Sequence, residues 1–195
     1  MDVTRIVFVG VGGQGNLLAS RLVGEAAVKA NVPVVVSEIH GMAQRGGVVE
    51  SAVLLGDVTS PIVSPGEADI LVGFEPVETL RTLIKCNANS LVITNTRPLP
   101  PFTVAIGKGV YPAVADTLDL IKSKVRKLIA FDAEALALEA GSSLSLNMVL
   151  LGALFAGAAL PVSVDHIKAA IVANTKKAFA EINVKAFDLG FKAAS

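Results

Sequence analysis

The stretch Gly10-Val11-Gly12-Gly13-Gln14-Gly15 directly follows the apolar run Ile6-Val7-Phe8-Val9. The apolar run is typical of a buried strand, and the glycines let the chain turn sharply into a helix. Backbone N–H groups in the first turn of a helix lack intrahelical acceptors and lie at the positive end of the helix dipole. The turn therefore predicts a place where a phosphate or carboxylate binds. The predicted contacts are Gly12, Gly13, Gln14 and Gly15.

The same stretch fits the dinucleotide fingerprint G-x-G-x-x-G through Gly10, Gly12 and Gly15. Such sites also need an acidic residue after the second strand to hold the ribose, and Glu38 lies 23 residues after Gly15. A free-standing NAD-binding oxidoreductase is therefore one interpretation. The fingerprint alone is a weak signal, and the residues that follow Glu38 do not resemble an adenosine-facing loop.

Residues 39–47 form the second unusual segment, because they hold three glycines, a histidine, an amide and a guanidinium in nine positions. They follow a predicted strand, and ligands of doubly wound sheets bind outside the carboxyl ends of the strands. If the first two strands are neighbours, residues 40–47 and the glycine turn share one pocket. Arg45 would then offer two donors to an anion, and Gly46 and Gly47 would let the backbone approach it.

A plain structural interpretation stays open beside this one, in which Arg45 forms an ion pair and the glycines only make a tight turn. Glu38, His40 and Gln44 are expected to support the loop, and His40 fits a loop-structuring role better than acid–base work. The sequence contains neither a nucleophile elbow nor an H-E-x-x-H motif. We therefore predict no catalytic residue and no metal site in this chain.

Composition limits the class of protein. Of 195 residues 52% are hydrophobic and 17% charged, against roughly 25% charged in an average soluble domain. A partner is therefore expected to cover part of the surface. The net charge of zero, with no basic face, argues against nucleic acid. The N-terminus has no targeting pattern and no apolar run spans a bilayer, which favours the cytoplasm and no membrane contact. The single Cys86 excludes an internal disulfide and a four-cysteine iron–sulfur cluster.

Periodicity predicts an α/β fold: a three-layer, Rossmann-like open sheet, mostly parallel, with one antiparallel or edge strand. We expect one domain over 1–195, with C-terminal helices from about residue 145 as a packing or interface appendage. Asn147 is expected to cap the first of these helices, and His166 to lie on a helix surface.

The predicted strands are Arg5–Val9, Val32–Ser37 (buried on both faces, in a βαβ unit), Val48–Gly56, Asp69–Phe74, Ser90–Asn95, Lys127–Phe131 and a short Thr103–Ile106. The predicted helices are Gln14–Lys29, Pro76–Ile84, Ala113–Arg126 and Ala133–Ala140.

Four motifs together resemble the gamma-type domain of the 2-oxoacid:ferredoxin oxidoreductases, and more closely its indolepyruvate branch. They are Gly10 to Gly15, His40-Gly41-Met42-Ala43-Gln44-Arg45-Gly46-Gly47, the turns at Ser60-Pro61 and Pro65 to Asp69, and Asn147 to Leu154. The second motif is the specific one. Pyruvate-type relatives usually carry an acidic residue ahead of the arginine, where this chain has Gln44.

The resemblance implies a complex that decarboxylates a 2-oxoacid on thiamine diphosphate, passes electrons through iron–sulfur clusters to ferredoxin, and forms an acyl-CoA. This chain lacks both a thiamine-diphosphate signature and the cluster cysteines, so these cofactors are expected on a larger alpha subunit. The chain itself would bind no cofactor alone, would be inactive in isolation, and would help close the active-site cleft. Its glycine segments and Arg45 would hold coenzyme A or the substrate carboxylate. A purely structural assembly subunit is the other alternative, and the isolated chain could form a homodimer.

Overall fold

Residues 2–40, 46–58 and 60–195 are described by the structure, a computed structural model. They contain one six-stranded sheet with the spatial order β2-β3-β1-β4-β5-β6. In chain order the strands are β1 (Thr4–Val11), β2 (Val34–His40), β3 (Val48–Leu55), β4 (Ala68–Gly73), β5 (Cys86–Asn95) and β6 (Lys127–Phe131). Only β3 runs against the others, because β1 and β2 both pair with it antiparallel while β4, β5 and β6 continue parallel from β1. The predicted mixed, mostly parallel sheet is confirmed.

Helices cover both faces of this sheet. In chain order they are α1 (Asn16–Lys29), α2 (Pro76–Thr82), α3 (Phe102–Ala105), α4 (Val114–Lys122), α5 (Ala133–Ala140), α6 (Leu146–Gly157), α7 (Val164–Asn174) and α8 (Ala180–Ala194). Short 3-10 turns occupy Leu83–Lys85, Ser143–Ser145 and Lys177–Phe179.

The two helical layers differ in size. The thick layer, α1 and α5 to α8, packs on the face that carries Ile6 and Phe8 of β1. The thin layer, α2 and α4, packs on the opposite face, which carries Val7 and Val9. Successive residues of a strand point to opposite faces, so the continuous apolar run of β1 is what a strand buried on both sides requires.

The position of β2 corrects the predicted βαβ unit. We expected β2 to be buried on both faces beside β1, but β3 lies between them and β2 forms the edge of the sheet. Val36 and Ile39 are accordingly exposed. A continuous apolar run indicates a strand but does not determine its neighbours, and the short connection from β2 to β3 favours an antiparallel pair. The antiparallel alternative predicted for β3 is therefore confirmed, whereas the edge belongs to β2.

Two local predictions were also wrong. Residues 103–106 do not form a strand, because the chain from Phe102 to Ala105 is helical with Pro101 preceding it. Pro101 is the N-cap, and its carbonyl oxygen accepts from the N–H groups of Val104 at 2.9 Å and Ala105 at 3.3 Å, which closes a helical turn in place of the strand that Thr103 and Val104 favour. Asn147 is not a cap either: Ser145 precedes α6 at its N-cap, and Asn147 is buried within the first turn.

Candidate functional site

The carboxyl edge of the sheet gathers the features of interest. β1, β2, β4, β5 and β6 all end there, and the antiparallel β3 begins there, with Val48 opposite Val11. Helices α1, α2 and α5 start directly after β1, β4 and β6. In doubly wound sheets this edge is where ligands bind.

The two glycine segments meet at this edge. The Gly12 N–H donates to the Gly47 carbonyl oxygen at 2.9 Å. The predicted proximity is therefore found at Gly47, while residues 41–45 lie outside the described part of the chain. The reason given for it was wrong, because the first two strands are not neighbours. The contact arises through β3, whose first residues lie beside the end of β1.

Gln14 holds the turn in shape. Its Oε1 accepts from the Val11 N–H at 2.8 Å, and its Nε2 donates to the Phe74 carbonyl oxygen at 3.0 Å. A Cβ at Gly10 would lie 2.9 Å from the same Oε1 and 2.7 Å from the Phe74 Cβ. Gln14 therefore ties β1 to the end of β4, and Gly10 is required by this packing.

The start of α1 is fastened to α6. Gly15 occupies the N-cap position with a positive φ of 83°, and its carbonyl accepts from Asn147 Nδ2 at 3.3 Å. A Cβ at Gly15 would lie 2.8 Å from that nitrogen. Asn16 donates to the Val49 carbonyl at 2.7 Å and accepts from the Leu17 N–H at 3.0 Å. The Leu17 N–H is thus used within the chain, and so is the Gln14 N–H, which donates to the Val11 carbonyl oxygen at 3.1 Å. If the turn binds an anion, Gly13 is the residue of the turn that is left to approach it.

A cavity of about 220 Å³ opens beside Gly13. Gly13 and Gln14 line it together with Asn95, Arg97 and Glu134. The Arg97 guanidinium is exposed and lies 3.4 Å from a Glu134 carboxylate oxygen. A charge-assisted donor beside an open glycine turn is the arrangement that a phosphate or carboxylate needs.

Arg97 was missed by sequence reasoning, which singled out Arg45 alone. The available signal was the polar run Asn95-Thr96-Arg97 at the end of a buried strand. Asn95 is buried, and its Oδ1 accepts from the backbone N–H groups of Ala133 at 3.0 Å and Arg97 at 3.2 Å. These bonds fix the backbone from which the Arg97 side chain projects.

A second cavity of about 290 Å³ lies beside Gly12 and Gly46 and is acidic. The buried Glu75 carboxylate caps α2 by accepting from the N–H groups of Val77 at 2.8 Å and Glu78 at 2.9 Å. It also accepts from the Leu99 N–H at 3.2 Å and from the Tyr111 hydroxyl. Burial and this carboxylate raise the pKa of Tyr111, and burial raises the pKa of Glu78. Arg81 also lines this cavity and pairs with Glu78 at 2.7 Å, which leaves one uncompensated carboxylate, whereas Arg97 and Glu134 balance each other in the first cavity. The second cavity is therefore the less suited of the two to an anion.

The remaining predicted site residues are scattered or outside the described part of the chain. Glu38 is exposed on the edge strand β2, and β3 separates it from β1 and the glycine turn. A dinucleotide site needs that acid at the end of the strand neighbouring β1, so the geometry argues against NAD. Gln44 and Arg45 lie outside the described residues, and His40 is the last residue of β2.

Residues 2–40, 46–58 and 60–195 offer neither a metal site nor a membrane-spanning helix. They contain no group of three or more His, Cys, Asp or Glu side chains that could hold a metal ion. No helix in these ranges is both long and apolar enough to cross a membrane. Cys86 is half-buried, and burial raises the pKa of its thiol to about 11, which does not suit a nucleophile at neutral pH.

Comparison with known proteins gives consistent matches over the whole chain. Residues 5–193 match the family described as pyruvate ferredoxin/flavodoxin oxidoreductase. Indolepyruvate oxidoreductase subunit IorB of Pyrococcus horikoshii is 44% identical over an alignment of 196 positions, which covers 100% of this chain and 97% of the relative. The gamma subunit of a keto/oxoacid ferredoxin oxidoreductase from Geobacter sulfurreducens superposes with a TM-score of 0.73 at 25% identity, covering 98% of both chains.

A third match shares the fold within a longer chain. The 2-oxoglutarate:ferredoxin oxidoreductase of Magnetococcus marinus, solved with 2-oxoglutarate, coenzyme A and succinyl-CoA bound, superposes with a TM-score of 0.72 at 19% identity. The superposition covers 100% of this chain and 31% of that one. The predicted α/β fold is confirmed by these structures.

Proposed function

This chain belongs to the pyruvate ferredoxin/flavodoxin oxidoreductase family, and we propose that it is the small subunit of an arylpyruvate:ferredoxin oxidoreductase. As a member of that family the chain is a subunit of an oxidoreductase complex. The proposed substrate is indolepyruvate or a related arylpyruvate, which the complex converts oxidatively to the acyl-CoA in the cytoplasm. Relatives named for indolepyruvate at 40–45% identity support this choice.

The chemistry is assigned to a larger alpha subunit. The chain has a single cysteine, whereas an iron–sulfur cluster of the ferredoxin type takes four. Thiamine diphosphate, the clusters and the contact with ferredoxin are therefore placed on the partner. The same fold occurs within a chain about three times as long in the 2-oxoglutarate enzyme, which supports a partner of that kind.

The role of this chain is to close one side of the active-site cleft and to hold an anionic group there. The observation that carries this role is the open cavity where Gly13 and Gln14 lie beside Arg97. The bound group is a phosphate of coenzyme A or the carboxylate of the 2-oxoacid, since both are anions that an arginine binds through paired hydrogen bonds. Arg45, Gly46 and Gly47 contribute from the second glycine segment in the same proposal, in which the positive charge of Arg45 offsets the Glu75 carboxylate of the cavity that Gly46 lines.

Steady-state kinetics of the co-produced complex test the proposal. Arg97→Ala and Arg45→Ala should each raise the KM for coenzyme A or for indolepyruvate about tenfold, because one charge-assisted contact is worth roughly 1.5 kcal/mol. Arg21→Ala is the control, since Arg21 is an exposed arginine of α1 whose pairing with Glu25 at 3.9 Å is loose. Unchanged KM values in both site variants, with the complex intact, would show that neither arginine holds a ligand.

A purely structural subunit is the second candidate, and a specific observation favours it. Gly10 and Gly15 are both explained by internal packing against Phe74 and Asn147, without any ligand. That candidate predicts that substitutions at Arg97 change neither KM. The arginine variants therefore separate the two functions directly.

A further inference from the structure

The exposed face of α8 carries a charge pattern that is complementary to itself. Glu181, Lys185, Asp188 and Lys192 are all exposed, and their spacing of four, three and four residues places them on one side of the helix. The spacing is the same whether it is counted from the N-terminal or from the C-terminal end of α8. The order of the charges, however, is negative first from one end and positive first from the other. A second α8 lying antiparallel would therefore place an opposite charge at each of the four positions.

An apolar groove runs beside this stripe. It has a volume of about 640 Å³, and its apolar lining comes from Val172 of α7 and from Ala180, Val184 and Leu189 of α8. Val172 is 53% exposed, and Val184 and Leu189 are half-buried. Apolar groups flanked by alternating charges are typical of a helix that packs against another helix.

From this pattern we infer that α8 pairs with the α8 of a second copy of this chain, antiparallel, about a two-fold axis between Ala186 and Phe187. In that arrangement Glu181 lies at the level of the other copy's Lys192, and Lys185 at the level of its Asp188. Each pair occurs twice because the interface is symmetric. This inference does not depend on the proposed function, and its test uses the chain alone.

The inner charges, Lys185 and Asp188, and the outer charges, Glu181 and Lys192, differ in their contacts within the chain. Lys185 Nζ donates to the Glu139 carbonyl at 2.8 Å, and Asp188 pairs with Lys168 at 2.6 Å. Neither Glu181 nor Lys192 forms an ion pair with the described part of the chain. The outer pair is thus the better probe of the dimer, because its reversal breaks no ion pair inside one copy and changes only the interaction of Glu181 and Lys192 with the α8 dipole.

The size of the contact predicts a weak dimer. The 15 residues of α8 span about 22 Å, so two such helices bury less than the roughly 1,200 Å² of a stable standard interface. We expect a dissociation constant in the micromolar range, on the order of 10 μM.

Sedimentation velocity of the full-length chain over a concentration series measures this dimer. Glu181→Lys places two like-charge pairs in the interface and should raise the dissociation constant at least tenfold, and Lys192→Glu should do the same. The double variant E181K/K192E restores both pairs and should return the constant to within about threefold of the parent. Circular dichroism of each variant reports whether it is folded.

Val110→Asp is the matched control, because Val110 is 94% exposed in the connection between α3 and α4, outside α8. It should leave the dimer unchanged. A chain that stays monomeric at 200 μM overturns the inference. So does a dimer that ignores the charge reversals, or one that V110D dissociates, since the contact would then lie elsewhere.

Discussion

The thick and thin helical layers cover the same sheet but differ in how tightly they pack and in how much apolar surface they leave exposed. In the thick layer α6 and α8 approach so closely that their backbones touch, and nearly every side chain of α6 is buried. Beside the thin layer, the connection between β5 and α4 leaves Leu99, Phe102 and Val110 exposed, and Phe102 is 75% accessible. We infer that the thick layer supplies most of the stability of the domain, while the exposed connection beside the thin layer is left for a partner other than a second copy of this chain.

The largest effect is expected at the α6–α8 contact. A Cβ at Gly152 would lie 1.9 Å from the Phe187 carbonyl oxygen, so Gly152→Ala must push the two helices apart. We expect the free energy of unfolding to fall by about 3 to 5 kcal/mol, measured by urea denaturation. Gly109→Ala is the control, since its Cβ would meet nothing closer than 3.6 Å. If G152A unfolds at the same urea concentration as the parent, the thick layer is not the stabilising one.

An intermediate effect is expected at Glu75 in the thin layer. Glu75→Ala removes the cap of α2 and leaves the Leu99 N–H and the Tyr111 hydroxyl without their acceptor. The loss should be about 2 to 3 kcal/mol in the same denaturation experiment. Tyr111→Phe removes only one of these bonds and should cost about 1 kcal/mol. A loss at Glu75 larger than the loss at Gly152 would reverse the comparison of the two layers.

Phe102→Ser is expected to have a small effect on the stability of the chain but a large effect on its assembly with the larger subunit. Phe102→Ser changes an exposed side chain, so the free energy of unfolding of the isolated chain should shift by no more than about 0.5 kcal/mol. If the thin side docks on the larger subunit, the same change should weaken co-purification with it. Leu138→Ser is the control, because Leu138 is an exposed leucine of α5 in the thick layer. Equal loss of the complex in both variants would contradict a docking surface on the thin side.

Sequence periodicity predicted the positions of all six strands, and β6 and α5 to the residue, because these elements carry local patterns of two and 3.6 residues. It did not predict that β3 lies between β1 and β2, since that pairing joins distant residues. The contact of Gly12 with Gly47 could be anticipated only as proximity of two glycine segments. Arg97 was missed because a single arginine after a strand has no distinctive spacing. Asn147 was misassigned because α6 begins at Leu146, with Ser145 at the N-cap position, so that Asn147 lies inside the helix.

The smallest effect on stability is expected from the ionisation of the Cys86 thiol. Its pH dependence tests whether water is excluded from the core under the thin layer. Cys86 begins β5 and packs against the core on that face, and burial raises the pKa of its thiol from 9.0 to about 11. The folded chain therefore keeps this proton between pH 9 and 11, whereas the unfolded chain loses it. The contribution of the thiol to stability is present below pH 9 and is lost as the pH rises through 11.

The rate of alkylation by iodoacetamide should accordingly rise up to about pH 11 in the folded chain, but level off near pH 9 in concentrated urea. Equal profiles in the two states would mean that water reaches Cys86 freely, and that the thin layer is more open than the packing of its side chains indicates.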